Sequence, residues 1–301
     1  MIRELTPELL AATQRGLRTT FLKLYDQVQI GRWADLFNRE TSSSAGENYP
    51  AIGAAPGLAR FTGTRAYSGV RSDGFYVLNE AYSAGIEIPR ADIERDRLGI
   101  YTTKIAEMAE KAKLYPVTLL GAILANATDT SLAKCWDGAA LISAAHGKGK
   151  TAQSNIISGS GIDTVDHVQT DIEQVVAAAS QVKDDKGDYV LGAPPNVALV
   201  PASQYGLIKI LRTIQANRGA LGTPDQSGIL QDVIATPYLT GNSWLMVRTG
   251  SARKPFGLQV EKDVTPESSY DFDTMTMKFA VEFRGAAFCA NWDTIWQVYH
   301  A

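Results

Sequence analysis

One amphipathic stripe constrains this chain more than any other feature. From about Asp92 to Tyr115, the residues Leu98, Tyr101, Ile105, Met108, Ala112 and Tyr115 recur at alternating spacings of three and four, while Lys104, Glu107, Glu110 and Lys111 fill the opposite face. Glu107 and Lys111 also stand in the favourable i,i+4 order. At 1.5 Å per residue such a helix is about 35 Å long. A compact globule of 301 residues has a radius of gyration of about 19 Å. The helix must therefore cross much of the body, as a strut. Pro116 suits the first turn of a second helix through Leu119, Leu120, Ile123 and Leu124.

The residues before the strut do not read as a compact domain. A helix is expected from Pro7 to about Phe21, with Thr6 as N-cap and an apolar stripe of Leu9, Leu10, Leu17, Phe21 and Leu24, weakened by Gly16. From Thr41 to Gly63 the chain is rich in serine, glycine and proline, which argues against regular structure. Tyr49, Ile52, Leu58 and Phe61 are spaced as anchors for an arm laid across a neighbour. Phe75–Leu78 and Ile86–Ile88 read as a two-stranded element with a turn signal at Asp73-Gly74. An isolated hairpin is marginal in water, so it needs another surface to rest on. If 1–40 is an arm, the body should fold without it.

Beyond the strut the pattern is mixed. Val165, Val168, Ile172, Val175, Ala179 and Val182 give a helix over Asp163–Lys183, closed by Asp184-Asp185-Lys186-Gly187. Val197–Val200, Ile229–Ile234 and Trp244–Val247 read as strands, and Tyr205, Leu207, Ile208, Leu211 and Ile214 as a helix. Then the period becomes two: Met275, Met277, Phe279, Val281 and Phe283 alternate with polar or small residues, a long strand buried on one face, with Ala286–Ala290 following across a bend at Arg284-Gly285.

Composition narrows the function. With 29 basic and 32 acidic side chains the net charge is −3, which does not suit tight binding to a phosphate backbone. Two distant cysteines, Cys135 and Cys289, form no disulfide framework and fit a reducing compartment. Neither a membrane-spanning apolar run nor a signal peptide is expected.

The candidate chemical motifs have simpler structural readings. Gly149-Lys150-Thr151 imitates the end of a phosphate loop, but Ala144 stands where the first glycine belongs. Cys135, Asp137 and His146 are ligand types without the paired spacing of a zinc site, and Trp136-Asp137-Gly138 reads as a turn. Asp92, Glu94 and Asp96 sit at a helix start, where carboxylates meet free N–H groups, with Arg90, Arg95 and Arg97 interspersed for salt links. Gly159-Ser160-Gly161 reads as a turn, and the Asn126-Ala127-Thr128 sequon as coincidence. The expectation is no catalytic residue, no metal and no cofactor. A metal-dependent enzyme centred on Cys135, Asp137 and His146 is the different-class alternative.

Three strings carry a family resemblance. Tyr49-Pro50-Ala51-Ile52-Gly53-Ala54-Ala55-Pro56 followed by Arg60-Phe61-Thr62-Gly63-Thr64-Arg65, then Ile88 to Tyr101, then Cys135-Trp136-Asp137-Gly138 with His146, together resemble the Mu-like phage major head subunits in order and spacing. Departures occur at Ser83, where that family tends to carry an acidic residue, and at Arg95, which breaks an acidic run. The resemblance implies an α+β chain with the tailed-phage major capsid fold. Its parts would be an N-terminal arm (1–61), an extended hairpin loop (62–89), a peripheral domain (90–160) with spine helix 92–115, a mostly axial domain (161–250), and return strands to the peripheral domain (251–301). It further implies a homo-oligomer of hexamers and pentamers closing an icosahedral shell. Scaffold and portal proteins would be partners, with packaged double-stranded DNA held without sequence-specific binding and no membrane contact. Such a shell is a virion capsid assembled in the bacterial host cytoplasm. A nanocompartment shell enclosing protein cargo would present nearly the same sequence physics.

Overall fold

The computed structural model describes residues 4–50, 74–147, 152–183, 187–190, 192–216 and 229–300. Two sheets organise them. The first has order β1-β9-β10-β4, from β1 (Phe37–Thr41), β4 (Glu80–Pro89), β9 (Phe256–Asp271) and β10 (Thr276–Cys289). The second has order β5-β11-β8-β6-β7, from β5 (Ile156–Ser158), β6 (Val197–Pro201), β7 (Asp232–Thr236), β8 (Trp244–Val247) and β11 (Ile295–Tyr299). A two-stranded ribbon pairs β2 (Gly46–Pro50) with β3 (Gly74–Leu78).

The strut is real, but its limits differ from those expected. A short helix α2 (Arg90–Glu94) turns through Asp96, whose φ is 56°, and α3 then runs without a break over Gly99–Ala125. Its 27 residues make a rod of about 40 Å. Pro116 lies inside α3 and does not start a new helix. An interior proline costs about 3 kcal/mol, yet α3 is gripped on both sides of it. Ile105, Met108 and Ala109 enter one core, and Leu120, Ile123 and Leu124 enter another. Between them Tyr115 and Leu119 meet Leu258, Val260 and Phe283 of the first sheet, with the Tyr82 and Tyr115 rings 4.9 Å apart.

The N-terminal helix packs on the body of its own chain. Thr6 caps α1 (Pro7–Gln27) as predicted, its hydroxyl accepting from the Leu9 N–H at 3.2 Å. However, α1 packs along α3, and Leu17 and Phe21 are buried with Ile88, Ile93, Ile105, Met277 and Phe279 of the same chain. Lys113 of α3 also sits over the Tyr25 ring, 4.3 Å from its centre. Removing residues 1–40 would strip a wall from the core around Ile105 and Phe279.

The expected hairpin is also re-paired. Phe75–Leu78 joins the earlier strand β2, while Ile86–Ile88 belongs to β4 and pairs with β10 through Ile86↔Phe279 and Ile88↔Met277. Strand β10 follows the period-two reading from Met277 onward, while Met275, at φ 49° and 54% exposed, stands in the turn before it, and the bend at Arg284-Gly285 is a register shift within one continuous strand. The long β9 was not legible in advance, because Pro266 and several charges interrupt it. Its pairing with β1 ends at Val260, so among the described residues only β10 pairs with it at Pro266.

Helices α4 (Val165–Gln181) and α5 (Tyr205–Ala216) flank the second sheet, and Val168, Ile172, Val175, Leu207 and Leu211 are buried against Leu199, Trp244 and Trp296. The closing turn expected at Asp184–Lys186 lies outside the described residues.

Candidate assembly ribbon and the buried polar cluster

The β2–β3 ribbon is mounted rigidly on the first sheet. At its base Gln259, fully buried, donates from Nε2 to Asn79 Oδ1 at 2.6 Å. Asn79 in turn donates to Ser42 Oγ at 2.9 Å and to the Ser44 carbonyl at 2.7 Å. Glu47 accepts from the Ser43 N–H and the Ser42 and Ser44 hydroxyls, which together hold its carboxyl below the usual value. One ribbon face is pinned by aromatic contacts, with Tyr49 4.5 Å and Phe75 5.4 Å from the Phe288 ring. The other face is bare: Tyr76 is 62% and Leu78 57% exposed. The stretch 51–73 that joins the two strands lies outside the described residues, including most of the Tyr49–Pro56 and all of the Arg60–Arg65 strings.

Two further apolar surfaces lie elsewhere. At the far end of the first sheet, the turn between β9 and β10 exposes Phe272 and Met275, and the start of α3 exposes Ile100. The Arg90 N–H binds the Met275 carbonyl at 3.0 Å, which brings the turn and the α2–α3 junction to one corner. An open groove of about 630 Å³ runs between α3 and strands β4 and β10, with Met108, Tyr115 and Phe283 in its wall and Lys104, Lys111 and Glu282 among its charged lining.

The residues singled out for chemistry are employed in structure. Asp137 Oδ2 accepts from the Gly147 N–H at 2.9 Å and lies 2.9 Å from His146 Nδ1, and its Oδ1 accepts from the Ala139 N–H at 3.1 Å. Burial pushes the Asp137 carboxyl up, but these hydrogen bonds outweigh it and hold the group below its ordinary value. The His146 ring lies flat on Trp292, centres 4.3 Å apart and planes within 4°. Gly138, at φ 87°, makes the tight turn the sequence anticipated. Among the described residues no group of three or more His, Cys, Asp or Glu side chains is arranged to hold a metal ion.

The other motifs resolve similarly. Asp92 accepts from the Tyr101 hydroxyl at 2.6 Å, and Glu94 pairs with Arg90 at 2.6 Å. Asn126 of the sequon donates to the Ala122 carbonyl at 2.9 Å, closing α3. At the Gly159 turn the His300 ring lies where a Cβ would be, and the Ser160 N–H binds Asp171 Oδ1 at 2.6 Å. Gly149, Lys150 and Thr151 lie outside the described residues.

Sequence reading missed what meets the Asp137 turn from the far end of the chain. Trp292 stacks on His146, Cys289 lies in the same core as Cys135, and Asp293 pairs with Arg253 at 2.8 Å. Burial raises the Asp293 carboxyl, opposed by Arg253 and Arg248. Arg248 itself lies over the Trp296 ring, 5.4 Å from its centre. No local spacing announces a cluster assembled from segments half a chain apart.

Comparison with known proteins agrees with the resemblance. The FluMu major head subunit of a Mu-like prophage of Haemophilus influenzae is 28% identical over 133 residues, 44% of this chain and 42% of that protein. The major capsid protein of Escherichia phage Mu is 30% identical over 97 residues, 32% of this chain and 31% of its own. The matched stretches thus span less than half of either relative. In structure, the chain is similar to a procapsid chain of bacteriophage JBD30, with TM-score 0.57 and 17% identity over 99% of this chain and 77% of that one. It is also similar to the virus-like particle of Pyrococcus furiosus, with TM-score 0.56 and 13% identity over 95% and 99% of the two chains. The capsid of cyanophage P-SCSP1u gives TM-score 0.57 and 13% identity over 89% and 88%. The architecture is therefore the α+β fold of tailed-phage capsid proteins. The family model for the Mu-like prophage major head subunit gpT matches residues 10–167, just over half of the sequence, from α1 through the ribbon, the strut and the Asp137 turn, and the chain belongs to that family.

Proposed function

We propose that this protein is a major capsid subunit, assembling with copies of itself into hexamers and pentamers that close an icosahedral head around double-stranded DNA. The observation that carries the reading is the family match across residues 10–167. The physical support is a rigid two-core body bearing a ribbon with an unpartnered apolar face. Tyr76 and Leu78 are costly to leave in water and suit burial by a neighbouring copy. A net charge of −3 suits a shell that encloses DNA without gripping it. Scaffold and portal proteins complete the assembly, which takes place in the host cytoplasm and yields a virion capsid.

The division of the chain belongs to the same proposal. The core around Ile105 and Phe279 is the peripheral domain, built from α1 and parts of 90–160 and 251–301, and the core around Leu199 and Trp296 is the axial domain, in which 161–250 is joined by the end of α3, the turn around Cys135 and Leu141, and β11. The extended loop is better drawn on the ribbon strands Gly46–Pro50 and Gly74–Leu78 than on 62–89. Electron microscopy of the purified chain, with light scattering, tests the reading. Closed polyhedra or rings of five and six are expected, and a uniform small particle that never assembles, even with a cognate scaffold protein, would overturn it. Tyr76→Asp with Leu78→Asp should leave the folded monomer intact and stop assembly. The similar fold of the Pyrococcus furiosus particle keeps a second reading in view, a shell around protein cargo. Nuclease-protected DNA in the particles favours the first, and a co-purified protein at fixed stoichiometry the second.

A further inference from the structure

The outer face of α1 carries charges that the chain leaves unused. Thr13, Leu17 and Phe21 are buried on one side of the helix, while Glu8, Ala12, Arg15 and Arg18 are exposed on the other. At 3.6 residues per turn, Glu8, Ala11, Ala12, Arg15 and Arg18 fall within an arc of about 120°. Many exposed cations elsewhere are paired within the chain, Arg32 with Asp232, Arg39 with Asp263, Lys104 with Glu107 and Lys278 with Asp271. Among the described residues Glu4, Glu8, Arg15 and Arg18 form no ion pair. Glu8 suits the helix start, but it lies about 10 Å along the axis from Arg15, and Arg15 and Arg18 are like charges at i,i+3, which repel. The order is nevertheless self-complementary. Glu8 and Arg15 share a midpoint between Ala11 and Ala12, and Glu4 and Arg18 share one at Ala11. A second copy laid antiparallel about that midpoint sets each Glu8 opposite the other copy's Arg15. It also brings each Glu4, in the segment entering the helix, near the other copy's Arg18. The central alanines let the two helices approach to about 8–10 Å, and their dipoles then run in opposite directions.

We propose that the outer face of α1 is a two-fold docking surface whose partner is the same face of a second copy of this chain, aligned antiparallel and held by Glu8–Arg15 and Glu4–Arg18 pairs. Such a contact is isologous: one patch serves both copies, and each pair occurs twice. Two crossing helices bury less than the roughly 1,000 Å² of a stable dimer. The contact is therefore weak alone and gains strength where other contacts already hold the copies close. The inference rests on the capsid reading only for its place, as a link between neighbouring subunits of the shell; the pairing itself requires two copies and nothing more.

The test introduces Ala12→Cys at the centre of the face and treats the purified full chain, at high protein concentration and low ionic strength, with a short bis-maleimide. Cys135 and Cys289 are buried and stay out of its reach. A pair of chains joined through position 12 of both is expected, with a yield that falls as salt is added. In that background Glu4→Arg with Glu8→Arg makes the face wholly basic, and Arg15→Glu with Arg18→Glu makes it wholly acidic. Each variant alone should keep its circular dichroism spectrum and lose the crosslink by about tenfold or more, since attractive pairs become like-charge contacts. An equal mixture of the two variants should restore the crosslink, between unlike chains only. A yield indifferent to charge reversal, no recovery on mixing, or no crosslink at all would each overturn the proposal. Closed shells that form without the position-12 crosslink would sink this pairing and leave the capsid reading standing, while crosslinked pairs that never build shells would do the reverse.

Discussion

Truncating Phe21 to alanine tests whether α1 is a wall of the core around Ile105 and Phe279 and whether the two cores unfold as one. The side chain is fully buried, with its ring 6.0 Å from Phe279 on β10 and 5.8 Å from Tyr25. Removing it forfeits the transfer energy of a buried phenyl, leaves a cavity and deletes an aromatic pair, for a total of about 3–5 kcal/mol. For a chain of this length that lowers the thermal midpoint by about 6–10 °C. The location of the tryptophans makes the assay informative. Trp244, Trp292 and Trp296 are buried in the core around Leu199, and Trp33 and Trp136 pack against it. Tryptophan fluorescence therefore reports the core that Phe21 does not touch. If α3 couples the cores, urea unfolding followed by fluorescence and by circular dichroism should shift together by the full amount. A loss under about 1 kcal/mol would mean that α1 does not hold this sheet and is free to act as an arm. A shift seen by dichroism alone would refute the coupling.

Glycine substitutions should split by location. Gly285→Ala drives a Cβ onto the Gln259 carbonyl at the β9–β10 register shift and should cost about 1–3 kcal/mol, whereas Gly16→Ala in an exposed turn of α1, with open space around it, should add about 0.5–1 kcal/mol, both read by chemical denaturation. Asp271, held by Lys278 at 2.9 Å, should titrate at about 2 by NMR and move towards 3.8 in Lys278→Met; its stabilising contribution is present above 3.8 and lost as pH falls towards 2. Asp137→Ala leaves the Gly147 and Ala139 N–H groups and His146 without their acceptor in a buried turn and should cost about 3–5 kcal/mol in thermal unfolding at neutral pH. Because the Asp137 carboxyl is held low, that penalty should fade in acid, as the wild type loses the same contribution below pH 3.8.

Legibility in the sequence followed the range of the forces involved. The α3 stripe and the alternation of β10 could be read because each element buries one face against a continuous neighbour, so its own period records the contact. Pro116 misled because a local rule was outweighed by packing at Leu120 and Leu124 on one side and Ile105 and Met108 on the other. The stripe of α1 was visible, but nothing in it says whether the partner is its own β10 or another subunit. Strand β9 was hidden because, among the described residues, it passes from pairing with both β1 and β10 to pairing with β10 alone after Val260, and its composition changes with it. The Asp137 turn was legible as a turn, while the stacking of His146 on Trp292 was not, since it depends on where the far end of the chain returns.

That return explains how one chain can be stiff enough to build with. Strand β10 carries Phe279 in the core around Ile105 and Cys289 in the core around Leu199, β9 carries Tyr270 against the first and Phe256 in the second, and α3 carries Ile105 in the first and Leu124 in the second. Three elements, each about 40 Å long or more, thus span both cores, with Tyr82, Tyr115 and Phe283 clamped between α3 and the sheet. A single crossing element would leave a hinge. Separated crossings in a helix and a sheet resist both bending and twisting. For a protein whose proposed work is to repeat one contact geometry around a closed shell, that rigidity is the functional property, and the side chains of Asp137 and His146 serve it by locking the seam where α3's descending loop meets the end of β10.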